Sequence, residues 1–356
     1  MDPKTLARPG GPAAARPAPP PFELGDRLPN FHLPDASGRV RDFHAEVSGR
    51  PALLLLAERL SEGAGAELLA ALRQAAPRFA ALGAEAFLLC GDAPPALASL
   101  VLPDGLPTLA LQDSAQRMTR TLSAGLSARL LLLDANQRAL AVPTAADAAQ
   151  QVAEAEAALL AWRERRRAGG PAPVLSLPDV LPHALCDRLV ALWEADNREG
   201  KVSAGTRNNF YSPDRKKNRE HVVQDPELLR LIAIYVSRRI GPELARVFAY
   251  DRPYRLESFI VLGYSDERQD FFGRHRDRYL PEHPRRFAMS LNLNDGYEGG
   301  ELRFPEYSEE RYRPPKGGAC VFSCSLLHEA LPVTRGRRFT MTTFFLAAEQ
   351  PPQAPR

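Results

Sequence analysis

Around Arg274-His275-Arg276-Asp277-Arg278 the chain has little freedom in how it is built. In an extended strand, alternate side chains share a face. His275 and Asp277 therefore project together, and Arg276 projects the other way. An imidazole and a carboxylate on one face supply two metal ligands, and a second histidine from a later strand completes the set. Two histidines and one carboxylate on one side of an octahedron leave open positions, the arrangement used by non-haem iron oxygenases. His328 is the expected third ligand, because it follows Gly318-Ala319-Cys320-Val321-Phe322-Ser323, which reads as a strand opened by a glycine pair.

An oxygenase of this kind also needs an electron donor. 2-Oxoglutarate chelates iron through its keto acid and leaves a distal carboxylate that needs a fixed cation. Arginine suits that role because its planar fork grips a carboxylate through two parallel hydrogen bonds. Arg338 opens the segment Arg338-Phe339-Thr340-Met341-Thr342-Thr343-Phe344-Phe345. The connection from His328 through Pro332 and Gly336 is short enough to make the two strands neighbours. With Arg338 turned inward, Thr340 and Thr342 line the same face. Arg274, Arg276 and Arg278 then point outward, which predicts a solvated or helix-facing row. Arg303, Arg311 and Arg313, near the Tyr307 loop, are expected to meet the substrate.

His275-x-Asp277, the Leu291-Asn292-Leu293-Asn294 run, Glu298-Gly299-Gly300-Glu301-Leu302 and the stretch from Leu327-His328-Glu329 to Gly336-Arg337-Arg338-Phe339 form an ordered set. Together they resemble the prolyl 4-hydroxylase branch of the Fe(II)/2-oxoglutarate dioxygenases, over roughly residues 173–345. The resemblance implies a double-stranded β-helix, or jelly roll, with bracing helices. It implies iron held by His275, Asp277 and His328, and Arg338 on the distal carboxylate of 2-oxoglutarate. Tyr264 matches a tyrosine that contacts 2-oxoglutarate, or else packs in the barrel core. Where some relatives carry a co-substrate-binding tyrosine before the Leu-Asn, this chain has Met289, and Thr340 is placed to take part instead. The implied chemistry is hydroxylation of an amino-acid side chain, prolyl among them, in a peptide, a protein or a small metabolite. O2 is consumed and 2-oxoglutarate is decarboxylated to succinate, with ascorbate as a compatible accessory reductant.

The chain has 356 residues, long for one core, so two domains are expected. Lys and Arg number 46 against 43 Asp and Glu, for a net charge of +3, too balanced to imply nucleic acid. No apolar run approaches the roughly 20 residues of a membrane span, and the start of the chain lacks the apolar core of a signal peptide. The four cysteines, Cys90, Cys186, Cys320 and Cys324, show no metal-type pairing and fit a reducing cytoplasm.

Residues 1–21 are rich in Pro and Ala and are expected to be a disordered tail. From Phe22, short all-apolar runs (Ala52-Leu53-Leu54-Leu55-Leu56 and the stretch from Glu85 to Cys90) alternate with helical stretches. A hairpin is expected between Ala128 and Leu140. That alternation argues for an α/β sandwich. The opening from Phe22 to Val40, the segment Leu111-Gln112-Asp113-Ser114 onward and the 128–140 hairpin resemble a thioredoxin fold of the peroxiredoxin type, over residues 22–162. Such a fold carries its reactive thiolate at the start of the helix after the first core strand. Here that loop, Ala57 to Gly65, has no cysteine, and Arg129 stands at the activating-arginine position with no thiol to activate. The expectation is a domain without peroxidase activity. Residues 163–173 read as a linker and 174–350 as the dioxygenase domain, in which helices are expected near residues 182–196, 225–237 and 241–248, with a loop over 205–219. The competing reading is a thioredoxin-like redox or docking protein that recruits a protein partner, its oxygenase half being regulatory or sensing.

Overall fold

The computed structural model describes residues 22–47, 49–98, 106–123, 126–167, 170–203, 209–210, 212–277 and 284–348. The expected tail, and Arg278, lie outside them. The elements gather around two sets of hydrophobic cores, one built from residues up to Trp162 and one from Ala172 onward.

The first set is organised by a five-stranded sheet in the order Thr108–Gln112, Glu85–Cys90, Ala52–Ala57, Ala128–Leu133, Ala139–Ala141. The first three strands are parallel and the last two are added antiparallel. The three central strands are buried at every position, as strands covered on both faces must be. Leu53 and Leu55 meet the helices Gly63–Ala81 and Ala148–Arg167 on one face, while Leu54 and Leu56 meet Phe31 and Phe43 on the other. The edge strand Thr108–Gln112 is not among the sequence expectations, because five residues alternating as Thr-Leu-Ala-Leu-Gln are too short a pattern to single out.

The second set is built on two main antiparallel sheets, with two short two-stranded pairs beside them. The larger runs Val174–Leu177, Ala319–Ser323, Arg285–Asn292, Arg337–Ala347, Ile260–Ser265, Arg219–Val222, Arg198–Glu199, with Tyr254–Leu256 also pairing to Arg337–Ala347. The smaller runs Lys216–Lys217, Phe271–His275, His328–Ala330, Leu302–Arg303, Arg311–Tyr312. Strand alternation gives the larger sheet two different faces. Val261, Met289, Leu291, Val321, Phe339 and Met341 pack against the helices His183–Ala195 and Pro226–Phe248. Ala288, Cys320 and Phe322 turn toward the smaller sheet and meet Leu302, Phe304 and Ala330. This layered β architecture braced by helices is the coarse form that the jelly-roll expectation takes.

Two local expectations are corrected. Helices over 225–237 and 241–248 are one helix, Pro226–Phe248. Asp225 caps it by accepting from the Glu227 and Leu228 amides. Leu228, Ile232, Val236, Ile240 and Leu244 then form one buried stripe, spaced four apart, that runs straight through Gly241-Pro242. Gly241 is there for space, since a Cβ at that position would stand 2.7 Å from the Tyr254 hydroxyl. The segment 205–219, expected to be a loop, contains Asn209–Phe210, Lys216–Lys217 and the first residue of Arg219–Val222 as strands. Its polar composition hid partners supplied from distant sequence, Phe271–His275 and Ile260–Ser265. No helix among the described residues is long and apolar enough to cross a membrane.

Candidate metal centre

His275 ends the strand Phe271–His275 and lies directly opposite His328 across the antiparallel pair with His328–Ala330. Asp277 follows two residues on, where its amide donates to the Cys324 carbonyl at 3.1 Å. The three side chains converge, each offering one ligand atom, all within 4.8 Å of one another. His275 Nε2 lies 3.6 Å from Asp277 Oδ1, and His328 Nε2 lies 3.5 Å from Asp277 Oδ2.

Both rings are oriented by the backbone. His275 Nδ1 sits 2.8 Å from the Gly273 carbonyl and His328 Nδ1 sits 3.1 Å from the Leu326 carbonyl. A carbonyl only accepts, so each Nδ1 carries a hydrogen and each Nε2 is turned toward the other two donors. Phe272 stacks on His275, with ring centroids 3.7 Å apart, and Phe322 meets His328 edge-on. Burial, reinforced by neighbouring His328, holds the His275 imidazole well below its usual range, so the ring is neutral and able to ligate. Burial pushes the Asp277 carboxyl up, against the pull of His328. The Asp277 carboxylate faces the two Nε2 atoms and, among the described residues, forms no ion pair with a lysine or arginine. A divalent ion between the three supplies the positive charge. Neutral imidazole and carboxylate donors without thiolate suit ferrous iron, so the residues present fit that ion.

The triad lines a cavity of about 390 Å³ that also contains Tyr264, Arg338, Thr340 and Ser290. Arg338 is 2 % exposed. Its Nε and Nη2 reach Asn292 Oδ1 at 3.3 and 3.1 Å, and Nη2 reaches Ser290 Oγ at 3.4 Å. Among the described residues no carboxylate forms an ion pair with it. Gly300 makes room for this side chain, since a Cβ there would stand 2.9 Å from Arg338 Cδ, and its φ of +70° suits glycine. Thr340 Oγ1 donates to the Leu291 carbonyl at 2.8 Å and lies 3.1 Å from Ser290 Oγ. Tyr264 is buried beside Arg338, and burial pushes its phenol up to about 12 while the guanidinium opposes the rise.

The expectations for the outward arginines and for the substrate residues meet a different geometry. Arg274 and Arg276 are not a solvated row: Arg274 lies 3.4 Å from Glu329, and Arg276 forms a forked pair with Glu306. Arg303 pairs with Glu329 and Glu309, and Arg313 with Glu301 and the Gly299 carbonyl. Neither they nor Tyr307 line the cavity around the triad. Its other wall holds two ion pairs, Lys216 with Glu220 at 3.4 Å and Arg285 with Glu257 at 2.7 Å. Sequence reasoning missed these, and it also missed Ser290 and Asn292. Met289 packs in the helix-facing core instead. The period-2 rule applied from Ala288 would have placed Ser290 and Asn292 beside Arg338.

No family model matches the chain. It is 30 % identical over 183 residues to a PKHD-type hydroxylase of Verminephrobacter eiseniae, covering 48 % of this chain and 77 % of that protein. It is 28 % identical over 186 residues to the multifunctional procollagen lysine hydroxylase and glycosyltransferase of Rattus norvegicus, with 49 % of this chain aligned. The chain spans about a quarter (24 %) of that rat protein's length. Among solved structures, the viral collagen prolyl hydroxylase of Paramecium bursaria Chlorella virus-1 aligns with TM-score 0.40 and 18 % identity over 50 % of this chain and 97 % of that one. A Mycobacterium tuberculosis peroxidoxin aligns with TM-score 0.35 and 19 % identity over 39 % and 97 %. On the match to the Verminephrobacter protein, this chain belongs to the PKHD-type hydroxylases, a family of oxidoreductases.

Proposed function

We propose that this chain is a ferrous-iron and 2-oxoglutarate-dependent hydroxylase acting on an amino-acid side chain, prolyl among them, in a peptide, a protein or a small metabolite. His275, Asp277 and His328 hold the iron, and Arg338 holds the distal carboxylate of 2-oxoglutarate, with Ser290 and Thr340 beside it. The observation that carries this reading is Arg338. It is a buried guanidinium without a carboxylate partner among the described residues, in the same cavity as the three donors. A buried cation without a counter-ion is costly, and a dicarboxylate co-substrate supplies the missing charge. Bound iron and 2-oxoglutarate provide the oxidising chemistry, with O2 consumed and succinate and CO2 released. The chain's own part is to aim both imidazoles, to keep that of His275 neutral, to grip the far carboxylate, and to shield the centre behind Phe272 and Phe322. The Lys216–Glu220 and Arg285–Glu257 pairs leave the outer wall polar but nearly neutral, which suits a backbone or a zwitterion.

Residues 22–162 are proposed to be a thioredoxin-like domain of peroxiredoxin type without peroxidase chemistry, and 174–350 the oxygenase. The absence of cysteine from the Ala57–Gly65 loop supports the first part. The test is succinate formation by the full chain supplied with Fe(II), 2-oxoglutarate and O2. Production that depends on iron and disappears in His275→Ala supports the assignment; production that persists in that variant overturns it.

A further inference from the structure

Behind the three donors, on the side away from the cavity, lies a carboxylate that the chemistry above does not use. Glu306 is 6 % exposed. It accepts four hydrogen bonds from three separate parts of the chain. Arg276 Nη1 and Nη2 donate to Oε2 and Oε1 at 2.9 and 2.8 Å, and Arg276 is the residue between His275 and Asp277. The Leu327 amide donates to Oε2 at 3.1 Å, and Leu327 immediately precedes His328. Gln137 Nε2 donates to Oε1 at 3.2 Å, from the turn that follows the strand Ala128–Leu133.

The arrangement holds both ligand-bearing segments to one anchor. Arg276 is also fixed by its Nη1 bond to the Ser325 carbonyl at 2.6 Å, so the fork cannot swing without breaking a second link. Gln137 is fully buried, at a φ of +60°, a backbone conformation that residues other than glycine seldom adopt. Its side chain is held at both ends: Nε2 also donates to the Ala135 carbonyl at 3.2 Å, and Oε1 accepts from Arg27 Nη2 at 2.8 Å. Leu327 and Pro305 lie against Gly49, so apolar contact accompanies the polar one at the same place.

We infer that Glu306 is a positioning residue that sets the separation of the two histidine-bearing segments, and that the 134–137 turn of the N-terminal part completes its hydrogen bonding. The N-terminal part is then a structural component of the metal centre, whatever else it does. This rests on the iron site proposed above.

The test uses the full chain and Co(II), followed by its visible absorption and its dissociation constant. Partners that orient ligands from outside the coordination sphere are worth roughly 10- to 100-fold in metal affinity. Glu306→Gln, which keeps the shape and removes the charge, should weaken Co(II) binding by about that factor and alter the absorption bands. Gln137→Ala removes the bond from the N-terminal part together with the links of Gln137 to Ala135 and Arg27. It should weaken binding by roughly 2- to 10-fold, less than the full weight of one hydrogen bond to a carboxylate, because the other three bonds to Glu306 remain. Should Glu306→Gln fail to fold, Gln137→Ala alone decides. If the variants that fold bind Co(II) with wild-type affinity and unchanged bands, the inference is overturned while the site reading stands. If the wild type takes up no Co(II), or His328→Ala binds it as the wild type does, the iron site itself is wrong.

Discussion

Two buried arginines show how differently the two parts of the molecule use a charge. Arg129 is 3 % exposed, and its guanidinium donates to the carbonyls of Pro143, Leu122 and Val142 at 3.0, 3.0 and 3.3 Å. Arg338 is buried as deeply, yet its bonds to Asn292 and Ser290 are long and it borders open space. The first is consumed in holding loops to a strand, whereas the second has donors left for a ligand. Burial of a charged group therefore does not mark a site by itself. Unused hydrogen-bonding capacity facing a cavity does. The same contrast separates Cys90, sealed in its core, from the two imidazoles whose Nε2 atoms converge on one point.

The largest effect is expected at the donors. His328→Ala should reduce both metal uptake and 2-oxoglutarate turnover to the level of protein-free iron, measured by metal analysis and succinate release. Retained stoichiometric metal would break the contrast at its strongest point, because the cavity would then owe nothing to the converging rings.

Arg338→Met comes next. Truncating one partner of a buried charge pair costs about 2–5 kcal/mol, so the KM for 2-oxoglutarate should rise roughly 30-fold or more. Arg338→Lys keeps the charge but loses the fork and should fall between. An unchanged KM would mean that the distal carboxylate is held elsewhere. Arg129→Met, the matching change in the other part, should leave that KM untouched and instead lower stability by about 1–3 kcal/mol in denaturant unfolding, because buried carbonyls lose their donors. If Arg129→Met changed the KM, the two arginines would not be doing different jobs.

How much of this was legible in the sequence depends on whether the signal was local. Period-2 reasoning names His275 and Asp277 as a pair, although the strand ends at His275 and Asp277 follows in a bend. The short connection suggests that the His328 and Arg338 strands are neighbours. Instead His328–Ala330 lies in the smaller sheet and Arg337–Ala347 in the larger, and the two side chains meet across the cavity between the sheets. The partners of Arg276 and Arg303 could not be read. Glu329 reaches Arg303 as its partner across a strand pair and Glu306 reaches Arg276 from a turn, and period-2 reasoning says which way a side chain points but not what waits there. The helix Pro226–Phe248 was misread for the opposite reason. Gly241-Pro242 is a strong local break signal, and a buried stripe of Leu and Ile outweighed it. In the N-terminal part, all-apolar strands announced a covered sheet, but they carry no information on which polar residue has work to do.

The smallest expected effect concerns Cys90, where the contrast predicts almost nothing. The loop that would carry a reactive thiol is instead tied down by Asp92, whose carboxylate accepts from the Leu60 amide at 2.6 Å and the Ser61 hydroxyl at 2.8 Å. Cys90 has no exposed surface, and burial pushes its thiol up to about 12. At neutral pH only a trace is thiolate, and the thiolate is the nucleophile. Iodoacetamide should therefore label Cys90 in the native chain far more slowly than in the unfolded chain, with mass spectrometry as the readout. Hydrogen peroxide consumption should be the same for the wild type and Cys90→Ser. Rapid native labelling, or peroxide turnover lost with Cys90, would return redox chemistry to the N-terminal part and remove the distinction between a part that supports and a part that reacts.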